Sequence, residues 1–311
     1  LASGPKTEIL YFAPPGIVKR QFRPPRRGGE IRKHRGRAIG KLFRFKFKKM
    51  KFKVLIAFLI LSILYACSKD ESVSENNQPN NPVNKSVNRQ TTGSSANNLL
   101  SDDIFTSMII ELVYVEGFEP SQTTVTNFID FLKARTYKPL GITVEKRSIT
   151  SPGLDVYTIE DIADVEREQR QYYNTDNQIA VWAYFSDGKS DKDSGAESTV
   201  VLGSAYWNTS FVIYEETVQG LSNSPFEPSR SLLETTVITH EFGHIFGLTN
   251  LGTPMQDNHE DAEYPKHCNV ENCLMYWASE SGIGISNMAN MGSAPQLDPQ
   301  CIADLRANGG R

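Results

Sequence analysis

The sequence predicts an α/β domain, with helices on a twisted, mostly parallel (mixed) sheet and a small C-terminal subdomain beyond a long helix. Two observations predict it. Short β-branched and apolar runs alternate with amphipathic helical stretches from Ser101 onward, and the strongest helical pattern, Ser229 to Leu248, follows the last strand. From Cys67 to the end there are 245 residues, enough for one hydrophobic core.

Met108 to Val115 is a β-branched and apolar run and reads as a strand. Ser121 can cap a helix that carries Phe128, Phe131 and Leu132 on one face. Gly141 to Ile149 reads as a second strand, Ile159 to Tyr173 as a charged amphipathic helix, and Gln178 to Phe185 as a third strand. Asp187 to Glu197 is an acidic loop; Asp187, Asp191 and Asp193 fit no calcium-loop spacing, so a solvated face is expected. Val200 to Tyr206 and Ser210 to Tyr214 supply further strands, and Asp298 to Ala307 a C-terminal helix.

The net charge of −3 averages two unlike pieces. Residues 1–49 carry 15 Lys/Arg against Glu8 and Glu30, whereas the remainder sums to −16, so the two are not expected to share a fold. Between them, Met50-Lys51-Phe52-Lys53 is a basic start, Val54 to Ile63 an apolar run, and Leu64-Tyr65-Ala66-Cys67 leads into polar Ser68-Lys69-Asp70-Glu71. The apolar run is too short to span a bilayer and has the form of a secretory signal over 50–66. It resembles a bacterial lipoprotein signal. That resemblance implies lipidation at Cys67 and export to the outer membrane or surface of a Gram-negative cell. Residues 1–49 are then an extension upstream of the native start, and their basic run lacks the aromatic platform of a nucleic-acid arm. Residues 67–100, rich in Asn, Ser, Gln and Thr, are expected to be a disordered tether, and the domain to occupy 101–311.

Within the long helix, His240 and His244 are four residues apart, so both imidazoles project from one face and can reach one metal ion. Glu241 lies where it can serve a metal-activated water as general base without itself ligating. Beyond residue 49 the chain has four histidines, His240, His244, His259 and His267, all within 28 residues. That clustering separates a metal site from two incidental helix histidines, and imidazole donors beside a hydrolytic carboxylate favour zinc.

His240, Glu241, His244 and Gly247 resemble the metzincin metalloproteases, whose compact motif places a third histidine three residues after the glycine. Here that position is Asn250, a weak neutral ligand. The segment His267-Cys268-Asn269-Val270-Glu271-Asn272-Cys273-Leu274-Met275 is similar to the archaemetzincin pattern, with 17 residues inserted after Asn250. The resemblance spans about 36 residues. It implies a zincin fold, His267 as third zinc ligand, Met275 in a turn beneath the metal, and an edge strand, Ser204 to Tyr214, that pairs with substrate. His259 is a rival third ligand, as are the acids Asp257, Asp261 and Glu263.

Archaemetzincins also hold a second zinc on four cysteines, and this chain has no later CxxC. In an oxidising compartment a disulfide is the expected use, either Cys268–Cys273 or Cys273–Cys301. Tyr276 and Trp277 either line a specificity pocket or pack in the core. The expected activity is endopeptidase hydrolysis with one zinc ion and a protein or peptide substrate. The alternatives are a non-catalytic zinc-stabilised binding lipoprotein and a zinc hydrolase of a non-peptide amide.

Overall fold

The computed structural model describes residues 83–193, 200–281, 284–285 and 288–311. Residues 1–49, the expected signal at 50–66 and Cys67 lie outside the described residues.

Five strands form one twisted mixed sheet in the order β2-β1-β4-β7-β6: β1 (Ser107–Val115), β2 (Ile142–Ile149), β4 (Gln178–Phe185), β6 (Gly203–Trp207) and β7 (Ser210–Ile213). Neighbouring pairs are parallel except β6, which runs antiparallel to β7 and is one edge of the sheet, β2 being the other. β3 (Val156–Tyr157) and β5 (Lys189–Ser190) form a separate two-stranded pair that takes in the start of the acidic loop. In that loop Asp187 accepts a hydrogen bond from Tyr157 and Asp193 one from the Val201 amide. Among the described residues its acids form no cation-binding cluster.

The period of two along each central strand divides the side chains between two cores. Met108, Ile110 and Leu112 of β1, Val181 and Ala183 of β4, and Phe211 and Ile213 of β7 face one helical layer. That layer contains α2 (Gln122–Arg135), through Phe128 and Leu132, and α5 (Arg230–Ile245), through Leu233, Val237 and Phe242. The alternate residues Val113, Trp182, Tyr184 and Val212 face α3 (Ile159–Gln169) through Ile162 and Val165. Each helix starts at an oxygen cap: Ser121 Oγ accepts from the Thr124 amide, Ser229 Oγ from that of Leu232, and Thr158 and Asp161 close a reciprocal capping box. α3 stops four residues short of the predicted Tyr173, because Arg170 turns extended and buries its guanidinium against Glu166 (2.6 Å) and the Ala180 carbonyl (2.8 Å).

The expected tether is corrected over its second half. Lys85–Asn88 is a 3-10 turn and α1 (Ala96–Leu100) buries Leu99 and Leu100 completely. Asn88 is also buried, donating to Asn174 Oδ1 and the Ala180 carbonyl. Polar composition suggested disorder, but these side chains satisfy buried backbone groups, a role that composition does not reveal.

Near the start of α5 a second acidic helix, α4 (Glu215–Gly220), places the fully buried Glu215 beside Glu234, with Arg230 reaching both at 2.8 and 2.7 Å. Burial first, and then the Glu234 charge, push the Glu215 carboxyl up to about 9 against the pull of Arg230. A folded pKa above the unfolded one favours folding fully below about pH 4, the ordinary carboxylate value, and the effect is lost as pH rises through about 9. Glu215→Gln, neutral throughout, should therefore flatten the fall in stability between pH 5 and 9, measured as urea midpoints. An unchanged slope would remove Glu215 from the account.

Candidate metal centre

α5 is buried on all sides from Leu233 to Ile245, including His240 and Glu241, and His244 is only 7% exposed. A helix in this position sends its polar side chains into the protein, so the two imidazoles, one turn apart, face each other across 3.1 Å at Nε2. His240 donates from Nδ1 to the Leu274 carbonyl at 2.7 Å, which fixes the tautomer that leaves Nε2 as a lone-pair donor. His267, half-buried, completes the group: its ring centroid lies 5.4 Å from that of His240 and 5.1 Å from that of His244. One ring nitrogen from each histidine falls within 4.8 Å of the others. Two imidazoles on a tetrahedral zinc at about 2.05 Å stand about 3.4 Å apart, so this donor set fits the ion.

The other sequence candidates for third ligand are elsewhere. Asn250, in the left-handed region at φ 68°, donates to Glu260 Oε2, and Asp261 accepts from the Glu263 and Tyr264 amides inside the inserted loop. Asp257 and Glu263 are exposed. His259 is fully buried in a second cluster. The insertion folds back on itself: Glu260 also accepts from the Lys266 amide, and Tyr264 stacks on Trp277 with centroids 4.0 Å apart. Trp277 thus packs against the loop that delivers His267. Tyr276 is half-buried beside it.

Glycines shape the site. Met275 lies directly under α5 at Gly243, where an added Cβ would stand 2.2 Å from the Met275 sulfur. At Gly203, on edge strand β6, a Cβ would stand 2.7 Å from Glu241 Cγ and 2.8 Å from its Oε1. β6 therefore passes immediately over the carboxylate. Gly247, at φ 74°, ends the helix, and its Leu248 neighbour donates back to the Gly243 carbonyl. A cleft of about 180 Å³ opens beside these groups, lined by Thr92, Ser204, Ala205, Glu241, His244, Leu251, Lys266 and His267.

The second cluster replaces the expected disulfide. Cys268, Cys273 and Cys301 are unbonded and buried. Cys273 Sγ lies 3.6 Å from Cys301 Sγ, and His259 Nδ1 lies 3.3 Å from Cys268 Sγ and 4.0 Å from Cys301 Sγ. His259 donates from Nε2 to the buried Asp304 carboxylate at 2.7 Å, leaving Nδ1 to face the sulfurs as an acceptor. The Met275 and Asp298 amides donate to Cys273 Sγ. Hydrogen bonds from Cys268, Cys301 and these amides hold the Cys273 thiol below its usual range. Two thiolates on a tetrahedral zinc stand about 3.8 Å apart, and a thiolate and an imidazole about 3.6 Å. His259, Cys268, Cys301 and Asp298 offer ligand atoms within 4.8 Å of one another, a set that fits zinc, and Cys273 adjoins it through Cys301, whereas pairing any two cysteines would strand the third. Asp298 presents Oδ2 to the cluster, 3.8 Å from Cys268 Sγ, while its Oδ1 caps α6 (Pro299–Ala307) by accepting from the Cys301 amide. The sequence signals for this cluster are the odd cysteine count and the histidine left over from the first site.

No family model and no curated protein matches the chain. Among solved structures, archaemetzincin from Methanopyrus kandleri aligns with 19% identity and a TM-score of 0.45, over 65% of this chain and 96% of that one. Metalloproteinase-II from Bacteroides fragilis aligns with 16% identity and a TM-score of 0.35, over 74% and 58%.

Gly243→Ala should cost about 1–3 kcal/mol of stability through overpacking against Met275, read by chemical denaturation. An unchanged midpoint would show that the thioether moves aside freely.

Proposed function

We propose that the protein is a zinc-dependent peptidase of an exported lipoprotein, with its reaction centre at His240, His244 and His267. The observation that carries this reading is the convergence of three imidazoles beside a buried glutamate, beneath the edge strand β6. A zinc ion held there supplies Lewis acidity toward a substrate carbonyl and toward water. Glu241, on the same helix and lining the same cleft, takes the proton from the attacking water and returns it to the leaving amine. The Leu274 carbonyl keeps His240 in the ligating tautomer. The outer edge of β6 offers main-chain donors and acceptors to an extended peptide, which brings its carbonyl over Glu241.

We also infer a second, structural zinc on His259, Cys268 and Cys301, with Asp298 or the adjoining Cys273 as fourth ligand and Asp304 orienting the histidine. Its place between the segment carrying Met275 and α6 lets it hold the floor of the site, and it supplies no reacting group.

Glu241→Gln should retain bound zinc while losing at least about a hundred-fold in peptide hydrolysis. A peptide library assayed by mass spectrometry, with metal content by elemental analysis, checks both, and undiminished cleavage would refute the assignment. The non-catalytic reading predicts zinc without turnover in the wild type. The non-peptide reading predicts turnover of other amides only.

Elemental analysis of the full chain should give close to two zinc per protein. Cys301→Ser should lose one of them and lower thermal stability. A wild-type ratio near one, with two reactive thiols fewer than expected after denaturation, would favour a disulfide instead.

A further inference from the structure

A cavity of about 500 Å³ lies behind α5, between that helix, α2 and the segment 291–296, and is larger than the cleft at the metal centre. Thr235 and Thr239 of α5 line it. Thr239 and Glu241 are two positions apart, so they project to nearly opposite sides of the helix and the cavity is separate from the cleft. Its size falls within the roughly 300–1,000 Å³ of pockets that bury small ligands. Helical spacing accounts for the space. Thr123, Asn127, Asp130 and Ala134 recur along one face of α2, and none of them is a large apolar side chain that would fill the gap beneath 291–296.

Two opposite charges line this cavity without pairing with each other. Asp130 is exposed and Arg135 half-buried, and among the described residues neither forms an ion pair. The Arg135 guanidinium lies over the Phe131 ring, 6.0 Å from its centroid, with Nε buried and without an acceptor and Nη1 reaching the Ala134 carbonyl at 3.4 Å. Burial first, and then the Arg306 charge, lower its pKa, as befits a cation short of a counter-ion. Along the α2 axis Asp130 and Arg135 are about 7.5 Å apart, and two residues of extended chain span about 7 Å. A di- or tripeptide therefore brings its ammonium and its carboxylate to both charges at once. Between them, Asn127 donates to Thr235 Oγ1 at 3.2 Å and keeps its carbonyl oxygen as an acceptor for a peptide N–H. We propose that this cavity binds short zwitterionic peptides of two or three residues, with the ligand ammonium at Asp130 and its carboxylate at Arg135. Such peptides are a class of product that a peptidase releases, but the binding stands on the cavity alone.

Zinc-loaded full-length Glu241→Gln, chosen so that the titrant is not cut, would be titrated calorimetrically with trialanine. Adding Arg135→Gln or Asp130→Asn should weaken binding at least about ten-fold, the effect of losing one charge-assisted hydrogen bond. N-Acetyl-trialanine and trialanine amide should lose as much on the unaltered cavity. No saturable binding, binding that neither substitution moves, or equal affinity for the capped peptides would overturn the proposal. The two substitutions act at opposite ends of the ligand, so if one variant fails to fold the other decides. Arg135-dependent binding in a protein whose wild type cleaves no peptide would sink the peptidase reading alone. Cleavage by the wild type without such binding would sink this proposal alone.

Discussion

The constraint on which the site depends is the complete burial of α5 between the sheet and the segment that carries Met275. A helix carrying two histidines and a glutamate on a buried face is costly unless each polar group has a designated use. Here the helix is held by Phe242 and Val237 against β7 and α2, and by Gly243 against Met275. The same contacts aim His240 and His244 at one point. Core packing and site geometry are therefore one set of contacts, and a change in one helix face propagates to the ligands.

Polar groups fix the remaining walls. Glu166, wholly buried, accepts from Arg170, Ser210 and, at 2.5 Å, from Tyr206 on the edge strand. Glu111 accepts from Arg147 and from the Gln171 and Tyr172 amides. These networks anchor the irregular chain after α3 and hold β6 above Glu241. Hydrogen bonds to charged, desolvated groups tolerate little displacement, so an edge strand that would otherwise fray keeps its register over the reacting carboxylate.

Much of this was legible in the sequence because it is periodic. The strand Gln178–Phe185, the Ser121 cap, the helices beginning near Ser229 and Asp298, and the spacing of His240 and His244 follow from local pattern and agree with the structure. What was not legible depends on contacts between distant segments. Asn88 and Asn208 look like loop residues, yet their side chains donate to the Ala180 and Val87 carbonyls, 92 and 121 residues away. Gly203 and Gly243 carry no signal of their own, since only their neighbours in space, Glu241 and Met275, explain the absent side chains.

The cysteines show how compartment reasoning and geometry can part. An exported chain with three cysteines in its folded domain invites a disulfide, and sequence spacing admits two pairings. A disulfide, however, asks for two sulfurs about 2 Å apart and gives the third no role. In the fold the three sulfurs share a neighbourhood with His259, whose far nitrogen is already engaged by Asp304. A buried carboxylate is costly to desolvate, and its hydrogen bond to His259 offsets that cost whether or not an ion is bound. The imidazole turns its Nδ1 lone pair toward Cys268 Sγ at 3.3 Å and Cys301 Sγ at 4.0 Å, an arrangement that suits a thiol donor or a metal ion alike. The Asp304 carboxylate, which also accepts from the Gln256 amide, thus sets the tautomer that turns an acceptor nitrogen toward the sulfurs.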